Sequence, residues 1–107
     1  MTIDQRTMGV PYEKFDTEVW KYELNQIAGP TNLMVPYGGE ILHVGTQDDQ
    51  IMVWVEVVPG GRKVERRFQV VGTGDTIGKQ ESYNYIGTVN VGSLVWHVFE
   101  DTPEEWR

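Results

Sequence analysis

The sequence predicts an all-β chain: a compact antiparallel sandwich or partly open barrel of six or seven short strands. Three observations carry this. Apolar residues recur with period two along most of the chain, glycine and proline clusters punctuate it at short intervals, and no stretch of ten residues has helical periodicity. The plainest element is the stretch from Glu40 to Pro59, where two apolar runs meet at Gln47-Asp48-Asp49-Gln50. Ile51, Val53, Val55 and Val57 form one β-branched row, and Leu42, Val44 and Thr46 a matching row before the turn. A hairpin alone is barely stable in water, so the remaining strands must cover its apolar face.

The other elements follow in order. Residues 1–18 lack a sustained period and form an N-terminal extension, interrupted by Met8-Gly9-Val10-Pro11. In Val19–Leu24, Trp20, Tyr22 and Leu24 alternate with Lys21 and Glu23, as in a half-buried strand. Thr31–Val35 is a short strand closed by Pro36-Tyr37-Gly38-Gly39. After the turn at Pro59-Gly60-Gly61, Val64, Phe68 and Val70 share one face, with Arg66 interrupting the row. Residues 72–82 form a glycine-rich polar loop, and Asn84–Asn90 with Leu94–Glu100 form the last hairpin around Val91-Gly92-Ser93. Leu94, Trp96 and Val98 are its expected core row. Residues 19–100 are read as one domain and 101–107 as an acidic tail.

Size and composition narrow the chemistry. A chain of 107 residues can bury enough surface for one core. It has no cysteine, so disulfides and thiol chemistry are excluded, and two histidines argue against a zinc site. No run of apolar residues is long enough to span a membrane, and the N-terminus lacks the pattern of a signal peptide. The formal charge of −7 works against broad nucleic-acid binding. It serves solubility, or complementarity to a basic partner.

Several blocks occur in a recognisable order: Val19-Trp20-Lys21-Tyr22-Glu23-Leu24, Pro36-Tyr37-Gly38-Gly39-Glu40-Ile41-Leu42-His43-Val44, and Met52-Val53-Trp54-Val55. Gly72-Thr73-Gly74, Tyr85-Ile86-Gly87-Thr88 and Leu94-Val95-Trp96-His97-Val98-Phe99-Glu100 complete the set. From Trp20 to Glu100 the chain thereby resembles a family of small, uncharacterised proteins of tailed bacteriophages, over about three-quarters of its length. The resemblance implies a phage origin and action in the cytoplasm of the infected bacterial host. It brings no activity, cofactor or catalytic residue with it.

Each candidate for chemistry has a plain structural reading beside it. The loop Gly72-Thr73-Gly74-Asp75 could form an anion-binding nest, but it lacks the lysine spacing and following helix of a phosphate loop and reads equally as a strand connection. Arg62, Lys63, Arg66 and Arg67 could contact an anion, or pair on a solvated strand face with Glu56, Glu65 or the acidic tail. Arg66 and Arg67 point to opposite faces of a regular strand. His43 and His97 read as satisfied, partly buried residues rather than catalysts. Trp54, opposite the β-branched row, becomes a contact platform with Met52 if its face is exposed, and Trp106 in the tail is a second docking candidate.

The function expected from these features is a non-catalytic, cofactor-free binding protein. It engages a host defence or regulatory protein through an acidic or aromatic surface. Two alternatives stand beside it. One is a homo-oligomer that sequesters a nucleotide-like small molecule through Arg66 or Arg67 and the Gly72-Thr73-Gly74 loop. The other is a minor virion protein.

Overall fold

Ile51, Val53, Val55 and Val57 are all buried in the structure, a computed structural model that describes residues 16–25, 30–77 and 83–101. Burial of each such side chain contributes about 1.5–3 kcal/mol, so this row anchors the core. The described chain is all-β. Its strands are β1 (Glu18–Leu24), β2 (Pro30–Pro36), β3 (Glu40–Gln47), β4 (Gln50–Val57), β5 (Lys63–Gly72), β6 (Tyr83–Val91) and β7 (Leu94–Asp101). They form two antiparallel sheets, ordered β1-β4-β3 and β2-β5-β7-β6, packed as a sandwich.

The alternation predicted for β1 holds. Trp20, Tyr22 and Leu24 lie opposite Val55, Val53 and Ile51 on the inward face. Val35, Phe68, Val89 and Val98 cover this row from the other sheet. Asp48 and Asp49 have φ of 54° and 63°, so the central hairpin closes through a two-residue turn with both residues left-handed.

Two rows differ from the sequence expectation. A bulge between Ile41 and His43 makes Leu42 the extra residue. Ile41 and Val44 therefore pack towards the core, while Leu42 is 49% exposed. Leu94 is also exposed, at the start of β7 beside the Gly92 turn. Trp96 and Val98 of that row do pack inward.

A second bulge lies in β6 between Tyr85 and Gly87. A Cβ at Gly87 would stand 3.1 Å from Val44 Cβ, so glycine is what lets β6 close against β3. The opposite side, between β1 and β2, is more open and is tied by a hydrogen bond from Asn25 N–H to Thr31 Oγ1 (2.9 Å).

Candidate functional site

The outward face of the three-stranded sheet is built around Trp54. Period two turns Trp54 away from the core, and the register running back from the two-residue turn puts His43 directly opposite it. The two rings lie 5.7 Å apart at 37°. Gly45 lies under them: a Cβ there would meet His43 Nε2 at 2.8 Å and Trp54 Cζ3 at 3.4 Å. Trp54 and Met52 are half-buried and His43 is exposed. The expectation of a partly buried His43 is thus corrected: alternation with buried Val44 puts it on the outer face, where it is exposed.

Acids surround this centre. Glu23 lies opposite Met52, and Glu40 lies opposite Glu56. Like charges in direct cross-strand opposition destabilise a sheet. Glu56 is partly compensated by a hydrogen bond from the Thr17 hydroxyl (2.7 Å). Lys21, opposite Trp54, donates to Gln47 Oε1.

Charge is divided unevenly between the two layers. Segments 16–25 and 40–57 carry Asp16, Glu18, Glu23, Glu40, Asp48, Asp49 and Glu56 against Lys21 alone, a formal charge of −6. Segments 30–39, 58–77 and 83–101 carry Glu65, Asp75, Glu100 and Asp101 against Arg62, Lys63, Arg66 and Arg67, a formal charge of zero. Nearly all of the chain's charge of −7 therefore resides in the layer that presents Trp54.

The basic cluster does not form one site. Arg66 is 5% exposed, which corrects its reading as part of a solvated face. Its Nε donates to Glu100 Oε2 (2.6 Å), its Nη2 to Glu100 Oε1 (2.9 Å) and its Nη1 to the Gly39 carbonyl (2.5 Å). Arg67 points outward, 3.9 Å from Asp101. Arg62 lies over the Tyr37 ring and Lys63 over Trp20, at 4.9 and 5.9 Å. Arg66 also acts on Tyr22. Burial pushes that phenol's pKa above its ordinary value, and the guanidinium partly opposes the rise. Among the described residues, the Tyr22 hydroxyl is buried without a hydrogen-bond partner.

The glycine-rich loop belongs to a different end of the molecule. Gly72 closes β5, Gly74 has φ of +93°, and Asp75 N–H donates to the Gly72 carbonyl (3.0 Å). Thr73 N–H donates to Val95 O (3.1 Å), which fastens the loop to β7. A hollow of about 400 Å³ lies here, lined by Gly72, Thr73, Asp75, Ser93, Leu94, Val95 and Trp96. Gly72 lies six steps along the extended strand from Arg66, roughly 20 Å away. The arginines, the loop and Trp54 thus do not converge on a common cleft.

His97 is half-buried and satisfied, as its pattern predicts. Its Nε2 lies 2.7 Å from Thr73 Oγ1 and its Nδ1 3.1 Å from Thr88 Oγ1. Trp106, most of the N-terminal extension and the tail after Asp101 lie outside the described residues.

A family model for a domain of unknown function, DUF7352, matches residues 16–107. The chain belongs to that family. The DUF7352 match takes in all seven strands, the Trp54 face and the Arg66–Glu100 pair. Neither the curated proteins nor the solved structures contain a significant match to this DUF7352 chain.

The sequence signal for the buried pair was present but indirect. Arg66 interrupts the inward row of β5, and Glu100 extends the inward row of Trp96 and Val98 on β7. Opposite charges at inward positions of neighbouring strands mark an interior ion pair. The uneven charge of the two layers had no such signal, because it depends on which strands share a sheet.

Proposed function

We propose that this protein is a non-catalytic binding module whose Trp54-centred face docks on a basic surface of another protein. The carrying observation is the concentration of negative charge around Trp54, His43 and Met52. Aromatic and methionine side chains supply contact area at a desolvated centre. A rim of one charge steers a partner of the opposite charge and fixes its orientation. Two facing glutamates, Glu40 and Glu56, gain a counter-charge when such a partner binds.

The resemblance to tailed-phage proteins supports a phage-encoded module acting in the host cytoplasm, with a host defence or regulatory protein as the partner. The nucleotide reading is less favoured by the geometry. Among the described residues, the hollow by Gly72 has Asp75 as its charged lining residue, which repels phosphate. A minor virion role is the other competing assignment, and mass spectrometry of purified particles separates it.

The test is affinity capture from infected-host lysate with wild type, Trp54→Ala, and Glu40→Lys with Glu56→Lys. A basic partner retained by wild type, released by salt and lost in both variants supports the proposal. No retained protein, or retention indifferent to both variants, contradicts it.

A further inference from the structure

Among the described residues, β1 pairs on one side only, with β4, and is an edge of the three-stranded sheet. Sheet edges are templates for another strand unless they are blunted. The other three edges carry such features. β2 has proline at both ends, and β3 and β6 each contain a bulge and lie against one another. β1 has seven regular residues without proline, glycine or bulge.

We infer that β1 pairs antiparallel with β1 of a second copy across a two-fold axis at Tyr22, joining two three-stranded sheets into one of six strands. A two-fold normal to the sheet must pass through a residue, because opposed residues share a face. At Tyr22 it sets Lys21 against the partner's Glu23, twice. On the inward face it sets Trp20 against the partner's Leu24. A centre at Lys21 would oppose lysine to lysine, and one at Glu23 glutamate to glutamate, both unfavourable. Lys21 on an edge ordinarily discourages pairing. In this register it becomes complementary instead, its ammonium turning from Gln47 Oε1 to the partner's Glu23. It is also the one Lys or Arg in the described part of an otherwise acidic layer. Dimerisation would join two acidic faces into a single extended surface, although the pairing itself does not rest on the proposed partner.

Sedimentation velocity of the full chain at near-physiological salt tests this, with circular dichroism to verify folding. Wild type sediments as a dimer. Lys21→Glu and Glu23→Lys each weaken the dimer about tenfold, and the double swap restores it. Glu23→Lys is the discriminating variant. It lowers the net negative charge, so general repulsion alone predicts tighter association, whereas this register predicts weaker. A wild type that stays monomeric up to its solubility limit overturns the inference. So does a dimer unchanged by the single swaps, or a double swap no better than they are.

Discussion

Arg66 and Glu100 form a two-pronged ion pair inside the sandwich, Nε to Oε2 at 2.6 Å and Nη2 to Oε1 at 2.9 Å. Charges removed from water are tolerated when each satisfies the other, and removing one strands its partner. Arg66 reaches from β5 to Glu100 on β7 and to the Gly39 carbonyl before β3. The pair therefore ties the four-stranded sheet to the loop that leads into the three-stranded one. Glu100→Leu is expected to lower unfolding free energy by about 3–5 kcal/mol. Arg66→Met added to it recovers most of that loss, leaving the cost of an unpaired Gly39 carbonyl. Urea denaturation of the two singles and the double measures this. A double variant as unstable as the worse single contradicts it.

The Tyr22 hydroxyl, buried without a partner, gives a prediction of opposite sign. Tyr22→Phe removes a desolvated polar atom and keeps the ring, and is expected to raise stability by about 1 kcal/mol. Its pH dependence is also specified. The folded pKa is raised above 10.0 by burial, with Arg66 opposing. Below that pH the phenol is neutral in both states and stability is unaffected. As pH climbs past it, the unfolded chain releases the proton first, so stability falls until the folded pKa is reached. Tyr22→Phe removes that share of the alkaline loss, which denaturation curves on either side of that pH detect.

The turn at Asp48 and Asp49 places two residues at φ of 54° and 63°. Left-handed backbone costs an L-residue roughly 1–2 kcal/mol, less for Asp than for most, and glycine is free of it. Asp49→Gly is expected to raise the thermal midpoint, consistent with the preference of such turns for Asp-Gly. An unchanged or lowered midpoint counts against this turn geometry.

Closure of β6 on β3 depends on Gly87. Its absent Cβ would meet Val44 Cβ at 3.1 Å, a backbone-anchored atom that cannot swing aside. Gly87→Ala is expected to cost about 1–3 kcal/mol by overpacking. In a double-mutant cycle with Val44→Gly, which removes that Cβ, the second change is less harmful once the first is present. Simple additivity would place the two sites out of contact.

Much of this architecture is legible from period-two patterning. Trp20-Tyr22-Leu24 and Ile51-Val53-Val55-Val57 alternate without interruption, and their inward faces are as predicted. The misplaced residues lie where regularity breaks. Leu42 leaves the core because one extra residue in β3 shifts the phase and puts Ile41 inward in its place, while His43 keeps the outward position that alternation with Val44 gives it. Nothing in the string Glu40–Val44 marks that bulge. Of the site candidates, Trp54 could be placed because it opposes a strong β-branched row. Arg66 was misread because strand periodicity puts it inward while composition alone makes it a surface residue. The charge of the three-stranded layer became visible only when β1, separated in sequence from β3 and β4, joined their sheet.

The central claim, that the Trp54 face is the docking surface, is tested most directly by hydroxyl-radical footprinting of the chain alone and with its captured partner. The account predicts that oxidation of Met52 and Trp54 falls on binding, while Met34 and Tyr85, exposed on the four-stranded layer, oxidise as before. Protection of Met34 or Tyr85 with Met52 and Trp54 unchanged would contradict it.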